Sequence, residues 1–189
     1  MKYLPSLRAL LSLVACMLLN LALWQCSGQN NEGTPAPTAQ EKREQQIQRQ
    51  RQFIERENES IQAYLKDRGF DWQRDGSGMY YSISRDSSNL EPIKSEDQVF
   101  YNYKIHMLNG SLLYSSDESG TQSLLVDKQD AVIGLHQALK RLTLGDTGLF
   151  ILPSHLAYGV SGDQDRVPPL TALQYEIQVV NIQKSKTRK

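Results

Sequence analysis

The chain has 189 residues, enough for one domain with appendages, and its 21 basic and 21 acidic side chains cancel to a formal net charge of zero. Set aside Lys2 and Arg8, which stand in an apolar leader, and 19 basic residues face 21 acidic ones; the concentrated basic face that nucleic-acid binding demands is missing. Cys16 and Cys26 are the only cysteines and both stand near the start, so no disulfide is available to the body of the protein.

Residues 1–25 read as a lipoprotein signal peptide. Lys2 and Arg8 precede an apolar run over residues 9–24, broken only by Ser12 and Asn20. The competing reading is an uncleaved anchor, since the run approaches membrane-spanning length. Cys26 favours the leader. It sits where hydrophobicity stops and the polar stretch Ser27-Gly28-Gln29-Asn30-Asn31 begins, a place suited to cleavage and acylation. Leu23 fits the position three before such a cysteine, whereas Gln25 departs from the small residue usual just before it. Leu13-Val14-Ala15-Cys16 fits better locally but leaves an apolar mature N-terminus after a very short leader core. Cys26 is the preferred lipidation site, and on either reading the bulk of the chain is exported and tethered.

Residues 26–40 form a flexible spacer of Gly, Asn, Thr, Pro and Gln. Residues 41–69 change to a polar helical segment without Pro and with Gly69 at its end. Ile47, Ile54 and Ile61 recur every seven residues there, joined by Phe53, Tyr64 and Leu65. That stripe could serve a partner helix or rest on the adjoining domain. The second reading is favoured, because Gln50, Arg51, Glu57 and Asn58 leave half of a coiled-coil seam polar.

The domain proper spans residues 70–184, with a basic tail over 185–189. Phe70 and Trp72 form a strap, and residues 79–83 give a strand after Gly76-Ser77-Gly78. Val99, Tyr101, Tyr103, Ile105 and Met107 alternate with Phe100, Asn102, Lys104 and His106, the period of a half-buried strand. Asn109-Gly110 predicts a tight hairpin in which both residues take positive φ, leading into strands at residues 112–115 and 123–126. Residues 130–142 carry the one strong helix pattern of the domain: Val132, Leu135, Leu139 and Leu142 share a face, and Gly145 closes it. Residues 149–152 form an apolar strand stopped by Pro153. Ala157-Tyr158-Gly159 opens a loop pinned by Pro168-Pro169, and Leu173, Tyr175, Ile177 and Val179 alternate along a last strand. The pattern is α+β: a mostly antiparallel sheet half-wrapped around one short helix. Tyr158 at a loop mouth between apolar strands, with no charged nucleophile nearby, points to a small apolar pocket with one polar handle. His106, His136 and His155 stand at no metal-ligand spacing, and there is neither a nucleophile elbow nor a phosphate-cradling glycine loop. No metal and no cofactor are expected.

Leu152-Pro153-Ser154-His155-Leu156-Ala157-Tyr158-Gly159, Val167-Pro168-Pro169 and the last strand resemble the FK506-binding-protein type of peptidyl-prolyl isomerase over roughly residues 97–182. Leu108-Asn109-Gly110, residues 126–130 and Pro153-Ser154-His155 look most like its gliding-motility-associated lipoprotein branch. The resemblance implies the strand order and the site. Tyr158 matches the tyrosine whose hydroxyl bonds the ligand carbonyl, the Val132 N–H matches a second donor, and Tyr103 completes the catalytic set. Leu113, Leu135, Val167 and Tyr175 match the substrate-binding walls. Leu135 stands where a tryptophan floor is usual, Tyr114 where an aspartate is usual, and Asp163 where a histidine is frequent; Gln122 lies near a phenylalanine position. The resemblance implies proline-containing exported polypeptides as substrates and an extracytoplasmic protein, lipid-anchored on the periplasmic side of a bacterial outer membrane. Weak isomerase activity is expected from the departures, and a non-catalytic chaperone or peptide-binding module is the alternative.

Overall fold

The computed structural model describes residues 37–86 and 91–186. Cys16, Cys26, the leader and most of the spacer lie outside the described residues. The chain divides into two units, Met1–Ile47 and Gln48–Lys189; the sheet and the candidate site belong to the second.

Helix α1 (Ala39–Lys66) starts two residues before the sequence expectation, at a capping signal that composition alone does not show. Thr38 Oγ1 accepts the N–H of Glu41 at 3.2 Å and the Glu41 carboxylate takes the Thr38 N–H at 2.7 Å, a reciprocal capping box. Its end at Lys66 makes no use of Gly69 as a left-handed cap. Of the seven-residue stripe only Ile61 is buried, at 2% exposure, while Ile47 and Ile54 are 44% and 55% exposed. Within the second unit the last turns of α1 therefore rest on the domain, whereas Ile54 faces outward. Ile61 packs with Tyr80, Ile151 and Ala172, and Tyr64, Leu65 and Trp72 cover them. The Glu57 carboxylate accepts the Ser154 N–H at 2.8 Å, and the Tyr64 hydroxyl donates to Gln174. Trp72 acts as the expected strap; Phe70 meets its ring edge-on at 5.7 Å but is itself half exposed.

The strands are β1 (Gln73–Arg74), β2 (Tyr80–Ser84), β3 (Gln98–Met107), β4 (Leu112–Ser115), β5 (Gln122–Leu125), β6 (Thr147–Leu152) and β7 (Leu173–Gln183). They form one antiparallel sheet in the order β1-β2-β6-β7-β3-β4, with β5 also on β3. β4 and β5 share one edge of β3: β5 pairs with Gln98 to Tyr101, β4 with Lys104 to His106. Period-2 alternation buries Val99, Tyr101 and Ile105 of β3 and Leu173, Tyr175, Ile177 and Val179 of β7. A register shift opposite Phe100/Tyr101 absorbs Val180, which is 41% exposed. β6 is covered on both faces at its end, which is why it reads as an unbroken apolar run. Phe150 and Leu152 enter the main core and Ile151 the cluster under α1.

Two local expectations are corrected. In the hairpin between β3 and β4 only Gly110 takes positive φ, at +91°. Its N–H donates to Met107 O at 2.9 Å, and Asn109 acts through its side chain, accepting the Ser111 N–H at 3.0 Å. The loop is thus a turn followed by a left-handed glycine, not a two-residue turn with both centres at positive φ. The helix of the domain is shorter than 130–142. After the four-residue α2 (Ser116–Ser119), which the sequence pattern does not announce, α3 covers only Ile133–Leu139, with Val132 extended at its start. Leu142 stays fully buried beyond its end. Gly145, at φ +87°, does not close the helix; it shapes the turn into β6, organised by the buried Asp146 carboxylate, which accepts the Thr143 and Asp86 N–H groups at 2.9 and 3.1 Å.

α3 sits so close to β6 that Gly134 has no room for a side chain: a Cβ there would lie 2.6 Å from Leu152 Cδ1 and 2.7 Å from Leu156 O. Gly134→Ala is therefore expected to destabilise the domain by ~1–3 kcal/mol through overpacking. Gly69→Ala, with nothing within 4 Å, is expected to leave stability unchanged. Thermal melts of both variants check this, and an unshifted Gly134→Ala midpoint would count against the close approach.

Candidate functional site

Five parts of the chain converge on one apolar cluster: Tyr103 from β3, Leu113 from β4, Val132 and Leu135 from the start of α3, Tyr158 and Val167 from either end of the loop after β6, and Tyr175 from β7. All seven residues singled out from the sequence as catalytic or substrate-binding are thus brought together. Leu113, Leu135, Val167 and Tyr175 are 3–8% exposed and make a floor. Tyr103, Val132 and Tyr158 are only partly buried and stand at its rim.

Each rim group is set by local backbone. Pro153 stops β6, a 3-10 turn (Ser154–Leu156) follows, and Gly159 returns its N–H to Ser154 O at 2.8 Å with φ +60°, which fixes Tyr158 beside the core. The Leu170 N–H bonds Gly159 O at 2.8 Å and closes the neck of the loop. Val132 is extended at the start of α3, and its N–H has no hydrogen-bond partner among the described residues. The turn before it is held by His136, whose Nδ1 lies 3.0 Å from the donating Asp127 N–H, and by Lys140 on the Asp127 carboxylate at 2.9 Å. Tyr103 OH is 3.1 Å from Ser119 Oγ, so α2 supports this ring.

The site is rich in phenols. Tyr101, expected from the sequence only as a core residue, packs its ring 6.0 Å from that of Tyr103; its position two residues away on the same strand face was the available signal. Burial pushes the Tyr101 phenol up to about 12, with Tyr103 and Tyr158 adding to it. Burial likewise raises Tyr175 well above its ordinary value, and raises Tyr158, where hydrogen bonding from Tyr175 offsets part of the effect. The two unusual rim residues meet one another: the Tyr114 hydroxyl donates to the Asp163 carboxylate. Gln122 does not enter the apolar floor; its amide caps α2 through Ser119 O at 3.2 Å and Gly120 O at 3.1 Å.

Residues 90–180 match the family described as FKBP-type peptidyl-prolyl cis-trans isomerase. The matched segment makes up a little under half of the chain. Human peptidyl-prolyl cis-trans isomerase FKBP9 is 29% identical over 90 residues, 47% of this chain and 16% of that protein. The probable FKBP-type isomerase FkpA of Neisseria meningitidis is 25% identical over 148 residues, 76% of this chain and 53% of that one. The chain thus spans a small part of the first protein and about half of the second. The crystal structure of FkpA from Escherichia coli superposes with a TM-score of 0.59 at 19% identity, covering 91% of this chain and 81% of that one. A peptidyl-prolyl cis-trans isomerase from Pseudomonas syringae gives 0.59 at 20% identity, covering 80% of this chain and all of that one. At that identity the two structures share the fold.

Raised phenols are protonated, neutral and able to donate throughout the neutral range. Between their ordinary value and their folded value the native state binds more protons than the unfolded chain, so their contribution to stability is complete below pH ~10 and lost as pH rises further. Spectrophotometric titration is expected to show Tyr101, Tyr158 and Tyr175 ionising at higher pH in the folded protein than in the unfolded chain; the same midpoint in both states would contradict the buried phenol cluster.

Proposed function

We propose that this FKBP-type domain is a peptidyl-prolyl cis-trans isomerase acting on proline-containing exported polypeptides. The observation that carries the reading is that Tyr158 and Val132, whose N–H has no partner among the described residues, pack against the same apolar cluster as Leu113, Leu135, Val167 and Tyr175. Rotation about a peptide bond meets a barrier of ~18–20 kcal/mol maintained by amide resonance. No nucleophile is needed to lower it. Leu135, Val167 and Tyr175 grip the prolyl ring and exclude water, which favours a carbonyl that has lost conjugation and polarity. Tyr158 donates to the substrate carbonyl, and the Val132 N–H holds the backbone beyond it, so the chain is bound best with its amide twisted. Tyr103 walls the ring on the α2 side. Leu135 removes the indole N–H that a tryptophan would offer, and this supports a modest rate and a second reading, a peptide-binding chaperone on the same fold.

The sequence of the leader supports lipidation at Cys26 and a place outside the cytoplasm, on the periplasmic side of a bacterial outer membrane. The polar composition of residues 26–40 supports a spacer after that anchor, with residues 70–184 as the working unit and 185–189 as a basic tail. The motifs shared with the gliding-motility branch support clients among exported or surface-motility proteins. Among the described residues no helix is long and apolar enough to cross a membrane.

Proline-limited refolding, assayed with the protein and its variants, tests the mechanism. Tyr158→Phe is expected to slow catalysis about tenfold, the worth of one hydrogen bond, and Tyr158→Ala further. Equal acceleration by all three would remove Tyr158 from the mechanism. Binding of proline peptides without any acceleration would move the assignment to the chaperone reading. Leu135→Trp is expected to raise the rate, and mass spectrometry of the mature protein to find an acylated Cys26.

A further inference from the structure

The loop between Tyr158 and the last strand is fastened to the sheet by a contact that the proposed function does not use. Tyr114 lies on β4, an edge strand paired only with β3. Its hydroxyl donates to Asp163 and lies 3.2 Å from an Asp165 carboxylate oxygen, and it accepts the Arg166 N–H at 3.3 Å. Arg166 grips the same strand from above: its guanidinium lies 5.1 Å from the Tyr114 ring centroid, donates to Leu113 O at 2.7 Å, and reaches Glu118 at 3.3 Å. The other Asp163 oxygen turns back into the loop and accepts the N–H groups of Asp165 at 2.9 Å and Val167 at 2.8 Å. Tyr114, Asp163 and Val167 thus form a continuous chain of hydrogen bonds from the sheet edge to a floor residue of the site.

The backbone that this chain holds is tightly wound. Gly162 sits at φ +66°, where a Cβ would come within 2.2 Å of Val167 O, and Gln164 takes φ +64° without being glycine. Such a turn persists only where surrounding contacts over-determine it. The groups around Asp163 supply that: burial alone would raise its carboxyl, but the Tyr114 hydroxyl and the two N–H groups outweigh burial and hold it below the ordinary range. Burial, aided by Asp163, pushes Tyr114 up to about 12, so this hydroxyl stays a donor.

We propose that Tyr114 and Asp163 are positioning residues, a latch that fixes the 159–170 loop against β4 and thereby sets the Val167 wall against the substrate proline. The role in substrate binding rests on the isomerase reading; the latch itself does not. Neither residue touches the reacting amide in this scheme, so breaking the latch loosens the grip on the ring and leaves the Tyr158 donor in place.

The test uses the full chain with Tyr114→Phe, Asp163→Asn and the double variant. Tyr114→Phe keeps the ring under Arg166 and removes only the hydroxyl. Amide hydrogen exchange at Val167 is expected to accelerate about tenfold or more in each variant, the double resembling the singles because all three break the same chain. On a proline peptide KM is expected to rise about tenfold while kcat stays within a factor of about two, a split that general unfolding would not give. Wild-type exchange at Val167 in Tyr114→Phe, or single effects that simply add in the double, overturns the latch. If Tyr114→Phe does not fold, Asp163→Asn decides by the same exchange measurement. If the wild type accelerates no refolding at all, the isomerase reading fails and the exchange data still decide whether the latch exists.

Discussion

The domain is built on the pairing of β3 with β7, two long strands matched from Gln98↔Gln183 to Met107↔Leu173. Everything functional is placed relative to that ladder. Tyr103 and Ile105 face across to Ile177 and Tyr175, so one face of the pair supplies both site tyrosines and the core beneath them. β6 flanks the pair on one side and delivers the chain to Tyr158; β4 and β5 flank it on the other and deliver Leu113 and the turn before α3. A one-residue slip would turn every one of these side chains to the opposite face. The shift that absorbs Val180 falls beyond Tyr101, outside the stretch that carries Tyr103 and Tyr175, and leaves their facing intact.

The site gains its chemistry from contrast within a small space. Its buried side chains are apolar, and the few polar groups at its rim are phenols and a backbone N–H. Neutral donors would suit the proposed prolyl substrate, uncharged and only weakly polar once its amide is twisted, whereas a charged group in the same place would need its own solvation replaced. Charged side chains are kept to the outer loop and answered there: Arg166 by Glu118, and Asp163 by the Tyr114 hydroxyl and backbone N–H groups.

Much of this was readable from residues alone. Alternation in residues 99–107 and 173–179 located both central strands, because a face either is or is not apolar at period two. The apolar stripe of 132–142 located the domain's helix but overstated its length. Leu142 is buried by the turn that follows, and burial looks the same in a periodic pattern whether the backbone is helical or not. The isoleucine repeat in α1 likewise gave a spacing without saying which members are covered, since only the last of the three meets the sheet. Asn109-Gly110 gave the hairpin but not its type, for Asn can serve through its side chain as well as through positive φ. The Tyr114–Asp163 contact was invisible, as two residues 49 apart that depart separately from a family pattern show their mutual fit only when folding brings them together.

The docking of α1 changes what counts as the smallest stable piece. The family match begins at residue 90, yet β1 and β2 precede it and β2 pairs with β6 over five positions. Ile61 and Trp72 roof the far side of Ile151 and Ala172. A chain trimmed to the matched segment would bare a raw strand edge beside an uncovered greasy patch, the combination that drives sheets to stick to one another. Any excised version meant to stay dispersed in solution has to keep the second half of that helix.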